Sequence, residues 1–186
     1  REHSSARIER FLLLAAEDHL QICNATTAAQ FFHLLRRQVL QDQGPPLVVF
    51  TPKSLLRARQ SRSPVSHLLS GTFEELLGDP AVPDPAAVRR VIFCSGKVAY
   101  EAMAERDARE APVAIARVEQ LYPWPYQAVA AELARFPNAR EVTWLQEEPE
   151  NMGPWNAIKG RLYEAHGDTH AIRRISRFES GSPACG

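Results

Sequence analysis

Apolar residues along this chain recur with two periods, one near two and one near 3.6, and their alternation sets out the elements. In SSARIERFLLLAAED, Ile8, Phe11, Leu12 and Ala15 fall at helical spacing on one face, with Ser4 or Ser5 in reach as a cap. LQICNA (20–25) is short and apolar and predicts a strand. TTAAQFFHLLRRQVL returns to helical spacing, with Thr27 and Gln30 at capping-box distance. Phe31, Leu35 and Val39 form its predicted buried stripe, while His33, Arg36 and Arg37 share the polar side. If that stripe is core, Phe31→Ala costs about 3–5 kcal/mol. LVVF (47–50) reads as a fully buried strand, ended by Pro52.

The pattern loosens between Thr51 and Pro85, where a short helix is predicted near Val65–Leu69 and a hydrophobic patch around Phe73–Leu77. GDPAVPDP (78–85), with three prolines and two acids, is the best linker candidate. Beyond it strands and helices alternate regularly. RVIFC (90–94) precedes a helix over 97–109, VAIARV (113–118) one over 125–135, and REVTWLQ (140–146) one from Pro154 to about Ala165. IRRISRF (172–178) is the last predicted strand. Strands alternating with helices of 10–15 residues predict an α/β fold, mainly parallel sheets flanked by helices on both faces. Two pieces are expected, residues 1–80 and 86–186, the first truncated on its N-terminal side.

Charge narrows the functional classes. Lys+Arg and Asp+Glu both number 22, so no net basic field advertises nucleic acid or membrane as a partner. No apolar run approaches the ~18–20 residues of a membrane span. Cys23, Cys94 and Cys185 are odd in number and scattered, which points to a reducing compartment and to neither a disulfide framework nor a metal cluster.

Three stretches invite a chemical reading. WLQEEPENMGPW (144–155) sets Glu147 beside Glu148 where a strand is expected to end, and α/β folds collect ligands and neighbouring domains at such ends. The pair reads either as a capped loop or as a binding contact, and Gly153 as a turn closed to other residues. SGK (95–97) lacks the spaced glycines of a P-loop and reads as a helix start. EQLYPWP (119–125) places Tyr122 and Trp124 beside prolines, as at a core edge or a subunit contact.

Taken in order, EHSSARIERFLLLAAED, TTAAQFFHLLRRQ, TPKSLLR, GTFEELLGD, CSGKVAYE, VAIARVEQLYPWP, VTWLQEEPENMGPW and RRISR resemble one family. They are similar to the C-terminal part of the thiamine-diphosphate-dependent decarboxylating component of 2-oxoglutarate dehydrogenase, over essentially the whole chain. The resemblance implies the end of a pyrimidine-binding domain in residues 1–80 and a transketolase-type C-terminal domain in 86–186. It implies a longer parent chain, with Pro in the family where Arg1 stands here and further residues after SPACG. The activity implied is oxidative decarboxylation of 2-oxoglutarate in the tricarboxylic acid cycle, with succinyl transfer to lipoyl-lysine. Thiamine diphosphate and Mg²⁺ would serve the full-length enzyme and bind nowhere in this piece. The partners implied are the upstream cofactor-binding domains, a second copy in a homodimer, and the dihydrolipoyl succinyltransferase component. The location implied is cytoplasmic, or the mitochondrial matrix in a eukaryote.

By the same resemblance Glu2 and His3 follow the family's active-site loop and are the catalytic candidates. Arg37 and Gln120 match positions of an effector site that takes acetyl-CoA in actinobacterial relatives. There a basic pair stands where Tyr126 and Gln127 are found here, and a lysine where Thr72 is, which argues against acetyl-CoA control. Glu147, Glu148, Tyr122 and Trp124 become interface candidates, since the family's C-terminal domain contributes to the dimer contact. The diphosphate and Mg²⁺ motif, GDG followed by Asn, is missing: Gly78-Asp79 runs into Pro80 and Gly167-Asp168 into Thr169. The rival expectation is a stand-alone regulatory or assembly module of the same fold without chemistry.

Overall fold

The alternating elements fold as two sheets, each built with strands from both expected pieces. The computed structural model describes residues 6–82 and 84–182. Helix α1 (Ile8–Leu14), strand β1 (Gln21–Cys23), helix α2 (Ala28–Leu40) and strand β2 (Leu47–Val49) open the chain. A short helix α3 (Ser66–Leu69) and a two-residue strand β3 (Leu76–Leu77) follow. Then come β4 (Arg90–Cys94), α4 (Val98–Arg109), β5 (Val113–Val118), β6 (Gln120–Tyr122) and α5 (Tyr126–Ala134). The chain closes with β7 (Glu141–Pro149), α6 (Trp155–His166) and β8 (Ala171–Arg177).

The larger sheet has the order β3-β5-β4-β7-β8, and β4 pairs in parallel with both β5 and β7, as does β7 with β8. The smaller has the order β2-β1-β6. Two antiparallel pairings tie the two expected pieces together. β3, from the first expected piece, pairs with β5, and β6, from the second, pairs with β1. The two pieces therefore exchange strands. The main core runs through both, from Ile8, Leu12 and Ile22 to Phe93, Trp144 and Leu162.

The segment GDPAVPDP behaves differently from a linker at its start. Asp79 is buried, and its carboxylate accepts from Arg106, from Ile115 N (2.8 Å) and from Ala81 N (3.0 Å). That ion pair pins the segment to α4 and β5, since a buried carboxylate so paired cannot leave without stranding Arg106.

Helix α2 departs from the expected orientation. Phe31, Leu35 and Val39 are 37%, 44% and 83% exposed, while Ala29, Gln30, His33 and Leu34 are buried. Thr27 Oγ1 accepts from Gln30 N (3.2 Å) as the capping pattern predicts. The Gln30 side chain, however, bridges Glu74 through its backbone O and N (2.5 and 3.1 Å), and His33 Nε2 meets His67 O at 2.8 Å. The inward face thus sets Leu34 and Ala29 among hydrogen-bonded polar side chains. A helix apolar on both sides shows its period but not which face seats.

Strand β2 is half-buried throughout, as suits an edge strand among the described residues, where full burial was expected. Arg7, in a left-handed conformation (φ 56°), occupies the cap position of α1, and Ser4 and Ser5 lie outside the described residues. No helix among the described residues is long and apolar enough to cross a membrane.

Candidate functional site

The two sheets meet where β5 leaves one and β6 enters the other, and Arg37 of α2 lies across that seam. One of its terminal nitrogens donates to Gln21 Oε1 and to Gln120 Oε1, both at 2.7 Å. Glu75 stands 3.9 Å from the other, and Phe73 lies under the guanidinium at 4.4 Å. Gln120 in turn donates to Glu75 Oε1 and Pro123 O, each at 3.0 Å. The two effector candidates are therefore brought together, as hydrogen-bonded partners. Beside them opens a cleft of about 290 Å³ lined by His33, Arg36, Arg37, Leu40, Thr72 and Phe73 among others. His33 Nδ1 and Arg37 Nε are buried without a hydrogen-bond partner.

The second constellation sits at the carboxyl end of β7. The strand continues through Glu147 and Glu148 to Pro149, past the expected end at residue 146, with its register slipping between Leu145 and Pro149. Glu147 pairs with Lys97 at 2.9 Å, and this hydrogen bond raises the Lys97 pKa above its usual value. Burial raises the pKa of Glu148, with the charges of Glu147 and Glu9 adding to the effect. Gln146, which the sequence reading passed over, organises the turn. Its amide donates to Pro149 O (3.0 Å) and Met152 O (2.7 Å), and its Oε1 accepts from Trp144 Nε1 and Trp155 N, both at 3.1 Å. Gly153 has φ +71°, as the turn reading required, and its N–H donates to Glu9 Oε2 at 3.1 Å. Arg7 donates to Met152 Sδ (3.3 Å), so the same turn holds the start of α1.

Tyr122 and Trp124 are each only 5% exposed and belong to the core. The Tyr122 hydroxyl accepts from Asp18 N (3.1 Å), and Trp124 packs edge-on against Trp144. Their contacts are met within the chain, which leaves almost no surface for the subunit contact expected of them. SGK is a helix start, with Gly96 at φ +76° before α4. Glu2, His3 and Cys185 lie outside the described residues.

The donor set does not suit a diphosphate with Mg²⁺. Asp79, the acid of one Gly-Asp pair, is committed to Arg106 and Ile115 N. Among the described residues no group of three His, Cys, Asp or Glu side chains converges to hold a metal. Cys23 and Cys94 are buried thiols pushed up to about 12 by desolvation, and so are unreactive at neutral pH. The burial of three carboxylates among the described residues, Asp79, Glu119 and Glu132, escaped the sequence reading. The signal for each was an acid inside an otherwise apolar or proline-rich run.

Comparison with known proteins fits these features. Residues 62–186 match the family model described as 2-oxoglutarate dehydrogenase C-terminal, and residues 1–59 that of the transketolase pyrimidine binding domain. The chain is 49% identical over 186 residues to the 2-oxoglutarate dehydrogenase E1 component of Cupriavidus necator. It is 44% identical over 188 residues to that of Coxiella burnetii and 43% over 189 to that of Azotobacter vinelandii. Each match covers 100% of this chain and 20% of the relative, so the chain spans about one fifth of their length.

Proposed function

The chain belongs to the 2-oxoglutarate dehydrogenase C-terminal family, and from that premise we propose that it serves as the C-terminal portion of a decarboxylating component. The observation that carries this reading is the match of two successive family models over nearly the whole chain, in the order pyrimidine-binding then C-terminal. The whole polypeptide would decarboxylate 2-oxoglutarate and pass the succinyl group to the lipoyl-lysine of a dihydrolipoyl succinyltransferase component. Thiamine diphosphate and Mg²⁺ would be held upstream of these residues and supply the carbanion chemistry, while the protein supplies orientation.

The part played by this portion is architectural. Exchange of β3 and β6 between the two pieces supports its acting as a rigid block beneath the upstream domains. Arg37 and Gln120 brace the seam, since the guanidinium already satisfies Gln21 and Gln120. Glu147, paired with Lys97, and Glu148 stand beside the turn against which α1 rests and are proposed to carry contacts to a neighbouring domain or a second copy in the homodimer. A cytoplasmic location goes with this proposal. The mass of the intact natural polypeptide tests it. The reading predicts a product several times the 20.8 kDa of this chain, and a natural product of that smaller mass would favour a stand-alone module.

A further inference from the structure

Glu119 sits between β5 and β6, where the chain crosses from one sheet to the other, and it is fully buried. Its carboxylate accepts from Thr26 N (2.7 Å) and Thr26 Oγ1 (2.5 Å), in the corner that leads into α2. Its backbone O accepts from Asn24 N (2.8 Å), and its N donates to Glu75 O (2.9 Å). One residue thus ties together the end of β1, the start of α2, the approach to β3 and the β5–β6 crossing. We propose that Glu119 is a proton-operated latch between the two sheets, closed when the carboxyl is neutral and loosened when it ionises.

The charge environment gives the direction. No ion pair closes on Glu119 among the described residues. Arg117 of β5 donates to Thr26 Oγ1 (3.1 Å) and Tyr100 Oη (3.3 Å), so its charge acts on the carboxylate from beyond Thr26 and without a direct bond. The Tyr100 hydroxyl of α4 donates to Thr26 O (2.8 Å), and burial raises its pKa. From β1 and β4, Cys23 and Cys94 face the site as neutral thiols, pushed up to about 12. From the approach to β3, the Glu75 side chain turns to Gln120 and Arg37. Gln30 of α2, whose side chain bonds Glu74, also favours the ionised carboxylate.

Burial is the largest influence on Glu119 and lifts its carboxyl to about 7, while bonds from Thr26 and the charge of Arg117 oppose it. The folded pKa is above the unfolded one, so stability from this group is full below about 4.5 and is lost as pH rises through about 7. An opened corner lets water reach the carboxylate, and opening therefore becomes easier with rising pH. Gln120, next in sequence, carries Arg37, so loosening here also frees the brace of the seam.

Peptide-resolved hydrogen exchange on the full-length polypeptide tests the latch. After correction for the intrinsic exchange rate, the opening constant of residues 24–31 should rise about tenfold between about pH 6 and pH 8.5 and then level off. Residues 91–94 in the middle of the larger sheet should show no such rise. Glu119→Gln should abolish the slope. Thr26→Val, which removes a donor to the ionised form, should move the midpoint to higher pH, and this serves if Glu119→Gln fails to fold. A flat profile in the unmodified protein, a slope that survives Glu119→Gln, or a midpoint unmoved by Thr26→Val would each overturn the proposal.

Discussion

Replacing Asp79 with Ala tests whether the proline-rich segment is pinned to the C-terminal sheet. The carboxylate is fully buried, and its partner Arg106 is 7% exposed along the side chain. Truncation leaves that guanidinium buried with only Asp107, at 2.8 Å, to pair with. It also frees the N–H groups of Ile115 and Ala81, the first of them in the middle of the sheet. Breaking a buried pair by removing one member costs about 3–5 kcal/mol, chiefly through the stranded charge. With a urea slope of about 2 kcal/mol/M, the unfolding midpoint should fall by about 1.5–2.5 M. Equilibrium urea unfolding followed by tryptophan fluorescence measures this, with Trp124, Trp144 and Trp155 all in the core. A loss under about 1 kcal/mol would refute the reasoning, because exposed ion pairs give no more than that.

Two further substitutions probe the turn after β7 and the seating of α2. Gly153→Ala places a Cβ 2.9 Å from Gln146 Nε2 and 3.0 Å from the Glu148 Cβ at φ +71°, and it should destabilise by about 1–2 kcal/mol through the left-handed conformation alone. An unchanged thermal midpoint would show that the turn does not need glycine. In α2, Leu34→Ala should cost about 2–5 kcal/mol and Phe31→Ala far less, because Leu34 is fully buried and Phe31 lies on the outer face. Urea midpoints in the reverse order would restore the orientation first expected from the spacing.

Much of the fold was legible because period and punctuation agreed. The helices over 98–109 and 155–166 and the strands over 90–94 and 113–118 lie where the apolar rhythm put them. What stayed hidden depends on contacts distant in sequence. α2 carries apolar residues on two sides, and only the partners of Gln30, His33 and Arg37 decide which side turns inward. The crossing strand at 120–122 is three residues long, too short for alternation to reveal, and it forms because β1 offers an edge. Asp79 resembled a linker acid because Arg106, its counter-charge, lies 27 residues away. At the candidate site, Arg37 stood out as one of a basic pair on α2 and Gln120 only through family resemblance, and their mutual bond needed the fold. Gly153 was legible from local chemistry, since a glycine between a strand and a helix-starting proline has few other uses.

The proposed function makes these residues part of a 2-oxoglutarate-decarboxylating polypeptide. The most direct measurement is reduction of an artificial electron acceptor by the purified full-length polypeptide, supplied with thiamine diphosphate, Mg²⁺ and either 2-oxoglutarate or pyruvate. Turnover should require the cofactor and strongly favour 2-oxoglutarate. Turnover with pyruvate alone, or none with either acid in a folded, cofactor-loaded protein, would contradict the proposed function.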